Sequence, residues 1–266
     1  MINTNRETTI LGLIGSNISD SKSFALHNFA IKKQGLNAVY TPFQTNNFLD
    51  CLTGLSSINC FGANITIPFK EEALNHIDQY SEDVQKIQAI NTIVRQDEQW
   101  VGHNTDHYGF WKSLEERSIS ILDRPVYIWG AGGAAKSVCY ALKQQRVSII
   151  NCWNRTASRI KSLETIIDVQ YYDWTTPLPD NAILINCTPL SQWEELPKNL
   201  SFNQTHVVVD LLYWKTPLLQ YAESSNAICL DGSGMLIHQA AKAFSLWFPK
   251  TDSTKYMKQC YQEQLR

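Results

Sequence analysis

The chain has 266 residues, enough for one large domain or two ordinary ones, and its 44% hydrophobic and 18% charged content fits a soluble globular protein. A net charge of −2 gives no electrostatic footprint for nucleic acid or an anionic membrane, and no apolar run reaches the roughly 20 residues a bilayer-spanning helix needs. Seven cysteines (Cys51, Cys60, Cys139, Cys152, Cys187, Cys229 and Cys260), an odd number with no C-x-x-C pair, argue against a disulfide framework or a zinc site and for a reducing cytoplasm.

The opening residues, Met1 to Glu7, carry no signal-peptide pattern, so a cytoplasmic protein is expected. Residues 11–15 read as a short apolar strand ending in glycine, followed by a polar loop over 16–23. A helix is predicted over 24–34, with Gly35 as its stop. A strand at 38–43, a helix at 46–55 and a strand at 60–67 that Pro68 cuts off come next. Helices over 70–80 and 81–88 follow, then a hairpin of residues 89–95 and 100–102 around the polar turn 96–99. Alternating strands and helices imply an α/β layer with a parallel or mixed sheet. Asn104, Thr105 and Asp106 lead a helix that runs to residue 116, and the domain boundary is placed near residue 105. Further strands are expected at 182–186, 207–211 and 227–230, with helices at 218–223, 235–248 and 252–265. The longest loop is expected at 192–203.

The most informative stretch is Val126-Tyr127-Ile128-Trp129-Gly130-Ala131-Gly132-Gly133-Ala134-Ala135-Lys136. Four β-favouring residues run into glycines and then into small helix formers, the pattern of a buried parallel strand, a tight turn and a helix start. Gly130 permits the turn, Gly132 leaves the backbone open to a pyrophosphate, and Gly133 and Ala134 let the helix lie close to the strand. The first N–H groups of that helix and its dipole then face the anion. A second strand at 148–153 completes a βαβ unit. A dinucleotide fold usually carries an acid at the end of that strand for the ribose 2′-hydroxyl. Here the residues are Asn154-Arg155-Thr156-Ala157-Ser158-Arg159. Two guanidiniums and a hydroxyl with no carboxylate suit a 2′-phosphate, which reads as NADP over NAD.

Polar residues gather at the expected strand ends of the first half: Ser21 and Ser23, Asn64 and Thr66 with Lys70 beyond Pro68, Asn91 and Thr92, and Asn104, Thr105 and Asp106. Ligands of open α/β sheets bind outside the carboxyl ends of strands. The collected hydroxyls, amides, ammonium and carboxylate suit a small polyhydroxylated acid. Each group also has a structural alternative. Ser23 and Thr66 could be helix caps, Lys70 a solvated helix residue, and Asp106 the cap of its own helix.

Taken together these segments resemble the shikimate dehydrogenase family nearly end to end. The matching motifs are Ser21-Lys22-Ser23, Asn64-Ile65-Thr66-Ile67-Pro68-Phe69-Lys70-Glu71, Ala89-Ile90-Asn91-Thr92, Asn104-Thr105-Asp106, the GAGGAA turn at 130–135, the NRTxxR box at 154–159, Asp210-Leu211-Leu212-Tyr213, and DGSGMLIHQAA at 231–241. The resemblance implies a two-domain α/β enzyme that interconverts 3-dehydroshikimate and shikimate with NADP, on the route to aromatic amino acids. It implies an N-terminal α/β substrate domain with a mixed sheet (1–105 and 236–266) and a Rossmann-type doubly wound NADP-binding domain (106–235), with the C-terminal helices returning to the first domain. By analogy Lys70 and Asp106 are the catalytic pair. Ser21, Ser23, Thr66, Asn91, Asp106, Tyr213 and Gln239 would hold the substrate. Gly130, Ala131, Gly132, Gly133, Ala134, Asn154, Arg155, Thr156, Arg159, Leu211 and Gly232 would hold the cofactor, and no metal is expected.

Four departures from the family pattern stand out. Phe24 replaces a usual proline, His107 a usual glycine, Ser191 interrupts the usual T-P-x-G-M at 188–192, and the stretch from Tyr213 to Thr216 is short. They leave open a quinate/shikimate enzyme that accepts NAD, or a non-catalytic sensor of a shikimate-like acid or nucleotide. A methyltransferase with a similar glycine turn would want an acid after the second strand, where this chain has arginines. The expected partner is a small-molecule substrate, with no nucleic acid and no membrane. The sequence does not fix the oligomeric state, and a homodimer is compatible with it.

Overall fold

The computed structural model describes residues 4–265, the Trp193 side chain excepted. Met1, Ile2 and Asn3, part of the leader reading, and Arg266, the end of the expected first domain, lie outside the described residues. The chain divides into two compact units, Met1–Gly109 with Ile237–Arg266, and Phe110–Leu236.

The first unit begins with β1 (Thr9–Gly15), α1 (Ser23–Lys33), β2 (Ala38–Gln44), α2 (Phe48–Ser57), β3 (Gly62–Ile65) and α3 (Phe69–Glu72). It continues through β4 (Gln79–Tyr80), α4 (Glu82–Ile87), β5 (Thr92–Gln96) and β6 (Gln99–His103). The sheet has the order β2-β1-β3-β5-β6-β4, with β1, β2 and β3 mutually parallel and β5 antiparallel to both β3 and β6. The alternating pattern left a parallel or a mixed sheet open, and this one is mixed, as the family resemblance implies. Asp97 and Glu98 close the β5–β6 hairpin with φ of 43° and 65°, the left-handed pair that matches the twist of a tight hairpin. Ile14, Phe48, Leu52, Leu55, Ile65, Phe69, Val84, Ile90 and Ile93 form one core of this unit, all at or below 5% exposure. That core fixes α2, α3 and α4 against the sheet.

The predicted helix over 70–80 is shorter than expected. After α3 the chain makes a single 3₁₀ turn, Ala73–Asn75, and Gln79 and Tyr80 then leave helical geometry to pair with Val101 and Gly102. Sheet pairing at the β6 edge overrides a weak local helical pattern there. The strand expected at 60–67 keeps ladder pairing only over Gly62–Ile65.

α5 (Asp106–Glu116) leads into the second unit. There follow β7 (Val126–Trp129), α6 (Gly133–Gln144), β8 (Ile149–Trp153), β9 (Asp168–Tyr171), β10 (Ile183–Asn186), β11 (Val207–Asp210), α7 (Pro217–Ser224) and β12 (Ile228–Leu230). All six strands are parallel in the order β12-β11-β10-β7-β8-β9. Counted from β7 this is the 3-2-1-4-5-6 order of a doubly wound dinucleotide fold, whose switch point lies between β7 and β10. Ile128, Ile150, Ile185, Val209, Val138 and Leu142 bury one face of this sheet under α6. Leu184, Val208, Trp129, Leu218 and Leu219 bury the other. The sequence reading had no counterpart for β9. Between β10 and β11 there is only a 3₁₀ turn, Trp193–Glu195.

α8 (Ser233–Trp247) returns the chain to the first unit, where Trp247 Nε1 donates to the Ile93 carbonyl at 3.0 Å. α9 (Thr254–Cys260) packs on α1, and its expected continuation to residue 265 is a π-helical turn, Tyr261–Leu265. Among the described residues no helix is long and apolar enough to cross a membrane. All seven cysteines are free thiols. Burial pushes the Cys152 thiol up to about 12 and the Cys60 thiol to about 11, so both are inert near neutral pH.

Candidate active site

In the first unit the polar residues predicted from strand ends converge. Phe69 anchors α3 in the core, and the Lys70 carbonyl accepts from Ile90 N at 2.8 Å, which ties α3 to the segment before β5. The Lys70 ammonium thereby meets Asp106 at the start of α5, with Nζ to Oδ2 2.6 Å. The Lys70 side chain is 20% exposed and that of Asp106 7%, so the pair is screened from bulk water but not sealed from it.

Asp106 is held from its other side. Asn91 Nδ2 donates to Asp106 Oδ1 at 2.8 Å, and Asn104 Oδ1 accepts the Asp106 backbone N–H at 3.1 Å. The Asn91 amide cannot turn over, because Thr105 N and Thr92 Oγ1 both donate to its Oδ1, at 2.8 and 2.9 Å. Behind it, Asn64 Nδ2 donates to Thr92 Oγ1 at 3.0 Å and Tyr40 donates to Asn64 Oδ1 at 2.9 Å. Donors therefore point in one direction from Tyr40 to the carboxylate. Buried amides and hydroxyls are tolerated only when satisfied in this way. Asn64, Asn91, Thr92, Asn104 and Asp106 are all at or below 6% exposure. An ammonium has three donors and one is used on Asp106, so two remain for a ligand oxygen.

Ser21, Thr66 and Gln239 are half-buried, and Ser23 is buried. Neither serine nor threonine caps a helix through its side chain: the N-cap positions of α1 and α3 are Lys22 and Pro68. Ser21 Oγ instead accepts from Ser23 N at 3.3 Å, which folds the loop. Lys22 turns to the C-terminal segment, donating to the Leu265 carbonyl at 2.8 Å and lying 4.8 Å from the Tyr261 ring. Gln239 on α8 reaches the same cluster through Thr105 Oγ1, 3.5 Å from its Oε1. His107 follows Asp106, and its Nδ1 lies 3.7 Å from Asp83 Oδ2. Burial lowers the pKa of the His107 ring, while Asp83 and Asp106 pull it up. Tyr213 belongs to the second unit, its ring edge-on to Trp214 at 5.4 Å.

In the second unit the glycine turn stands at the switch point. Gly130 has φ +106°, and a Cβ there would lie 3.1 Å from the Cys187 carbonyl oxygen, so this position requires glycine. Gly130 N donates to the Trp153 carbonyl at 2.7 Å and Ala131 N to Asn154 Oδ1 at 3.2 Å, which joins the turn to the end of β8. Gly132 is the N-cap of α6 and supplies no side-chain acceptor, so Gly133, Ala134 and the rest of the first turn offer N–H groups to an anion. The space where a Gly132 Cβ would lie is open. Arg155, Thr156 and Arg159 are exposed, and among the described residues no carboxylate is paired with either arginine. An open backbone approach, a helix N-terminus and two unpaired guanidiniums fit a dinucleotide with an extra phosphate. Leu211 and Gly232 lie together: a Cβ on Gly232 would fall 2.0 Å from the Leu211 carbonyl oxygen, so only glycine permits this contact.

Sequence reasoning assigned no role to two residues that shape this unit, Asn186 and Asp210. The signal for them was a polar residue closing each of two otherwise apolar strands, Ile-Leu-Ile-Asn and Val-Val-Val-Asp.

Comparison with known proteins fits both units. The family model described as shikimate dehydrogenase substrate binding domain matches residues 13–93, and that described as shikimate 5'-dehydrogenase C-terminal domain matches residues 232–259. A curated relative from Pyrococcus furiosus, named shikimate dehydrogenase (NADP(+)), is 35% identical over 268 residues, covering 96% of this chain and 95% of its own. A crystal structure of shikimate dehydrogenase from Aquifex aeolicus superposes with a TM-score of 0.88 at 29% identity, covering 98% of this chain and all of that one. A shikimate dehydrogenase solved in complex with NADP+ superposes with a TM-score of 0.87 at 31% identity, covering 99% of this chain and 98% of that one. By its sequence and by its fold, the chain belongs to the shikimate dehydrogenase family.

Proposed function

We propose that this protein is an NADP-dependent shikimate dehydrogenase, interconverting 3-dehydroshikimate plus NADPH and a proton with shikimate plus NADP+. The observation that carries this reading is the Lys70–Asp106 pair, 2.6 Å apart and held by Asn91, in a unit whose remaining polar groups suit a hydroxylated acid. The relatives' printed names and the unpaired Arg155 and Arg159 support NADP as cofactor. In this reading residues 1–105 and 236–266 make up the substrate domain and residues 106–235 the NADP-binding domain. Bound NADPH supplies the hydride that adds to the ketone carbon.

Charge then develops on the carbonyl oxygen, and Lys70 meets it with a cation and a transferable proton. Asp106 holds the ammonium in place, and its other oxygen stays fixed by Asn91. Once Lys70 has given its proton, its partial exposure lets water restore it. In the reverse direction Lys70 accepts the proton of the shikimate hydroxyl. Ser21 and Ser23 take the substrate carboxylate, and Thr66, Asn91, Gln239 and Tyr213 take hydroxyls. A site that pairs each hydroxyl discriminates against analogues lacking one, because buried partners are left unsatisfied. Reduced free thiols suit a cytoplasmic enzyme.

The test is the nicotinamide absorbance change with shikimate and NADP+, in the native protein and in Lys70→Ala. The substitution should lower kcat by about 10²–10⁴ and leave NADPH affinity unchanged. An unaltered kcat, or a native protein with no turnover on shikimate, would refute the reading.

A further inference from the structure

Asp210 is fully buried at the carboxyl end of β11, and the mechanism above makes no use of it. Its three hydrogen-bond donors among the described residues are all neutral. Thr216 Oγ1 donates to Oδ2 at 2.7 Å, while Asn186 Nδ2 and Leu212 N each donate to Oδ1 at 3.1 Å. Burial pushes its carboxyl up to about 6, with nearby Asp231 adding to the effect. A buried carboxylate without a cation is costly, so a purely structural site would be better served by a neutral side chain.

The geometry shows what the carboxylate organises. Asp210 and Asn186 are register partners at the ends of adjacent parallel strands. Each bends its own exiting chain into an Asx turn: Asn186 Oδ1 accepts from Thr188 N at 3.0 Å and Asp210 Oδ1 from Leu212 N at 3.1 Å. The Asn186–Asp210 bond joins the two turns. Thr216, whose hydroxyl also caps α7 by accepting from Leu219 N at 3.3 Å, closes the short 211–216 loop onto the other oxygen of Asp210. The loops so fixed carry Thr188, whose Cγ2 lies 3.2 Å from the Cβ position of Gly130, and Leu211, whose carbonyl abuts Gly232. In a doubly wound fold each half of the sheet takes one mononucleotide. Arg155 and Arg159 follow β8, so the 2′-phosphate half belongs with β7, β8 and β9. The nicotinamide half then belongs with β10, β11 and β12.

We propose that Asp210 is a positioning residue for the nicotinamide half of the cofactor, setting the loops after β10 and β11 through the paired turns and the Thr216 bond. This rests on the reading of the protein as NADP-dependent. It separates two ligands. NADPH needs both halves of the sheet, whereas adenosine 2′,5′-bisphosphate needs only the half carrying Arg155 and Arg159.

The experiment titrates the native full-length protein, Asp210→Ala and Asp210→Asn with each of these ligands, following NADPH fluorescence and calorimetric heat. Asp210→Ala removes all three hydrogen bonds and should weaken NADPH about tenfold or more. Adenosine 2′,5′-bisphosphate should stay within about twofold, since its half of the sheet is untouched. Asp210→Asn keeps the shape and should give a smaller loss, about threefold, with the same selectivity; it carries the test if the alanine form does not fold. Thr216→Val should follow the same pattern and Thr216→Ser should restore native binding. Unchanged NADPH binding, or a parallel loss for both ligands, overturns the proposal. A native protein that binds neither ligand overturns the NADP reading instead.

Discussion

His27 offers a quantitative test of the first unit's core. It is fully buried on α1, stacked on Tyr40 with ring centroids 4.3 Å apart and flanked by Phe244 and Trp247. Both ring nitrogens are buried, and among the described residues neither has a hydrogen-bond partner. Desolvation lowers its pKa to about 3 against a nearby Asn64 that favours the charged form. The folded state therefore keeps His27 neutral where the unfolded chain would protonate it at its ordinary value of 6.5. Its folded pKa is depressed, so the unfolded state binds more protons between these two values. Stability is full above 6.5 and is lost as pH falls towards 3. At about pH 5 the unfolded histidine lies 1.5 units below its pKa, which costs the folded state about 2 kcal/mol. That figure barely depends on the folded value, provided it lies well below 5. His27→Phe keeps the ring and removes the titration. Urea unfolding of both proteins at about pH 8 and pH 5 should show the native protein losing about 2 kcal/mol more than the variant. Equal losses would mean that His27 accepts a proton in the folded state, and the burial argument would be wrong.

Other predictions concern the second unit. Arg155→Ala and Arg159→Ala should each raise the KM for NADP+ about tenfold while changing that for NAD+ little, because only the former carries a 2′-phosphate to lose. Equal effects on both cofactors would remove the arginines from phosphate recognition. Gly130→Ala forces a left-handed backbone and a contact with the Cys187 carbonyl, so it should lower stability by about 1–3 kcal/mol and weaken NADPH binding, read by thermal melting and fluorescence titration.

Local chemistry made much of the molecule legible. The run from Val126 to Lys136 specifies strand, turn and helix through residues that neighbour one another, and β7, the glycine turn and α6 lie where that pattern places them. The hairpin is equally local, since its turn needs only two residues able to take positive φ. β9 was not legible, because Asp168-Val-Gln-Tyr has one clearly apolar residue and becomes a strand only by pairing with β8. Residues 73–80 read as helix for the opposite reason: nothing local announces that Gln79 and Tyr80 will pair with β6.

By itself the sequence determined which groups are available: an ammonium, a carboxylate, hydroxyls and amides at strand ends, and arginines in place of the ribose acid. Tertiary structure alone decided which of them meet. Lys70 and Asp106 are 36 residues apart, and they touch because β3, β5 and β6 are neighbours in one sheet. The direction of the hydrogen bonds from Tyr40 to Asp106, and the joining of Asn186 to Asp210, depend on register between strands. Register is a property of the assembled sheet and of the faces it buries, and residues read one stretch at a time do not contain it.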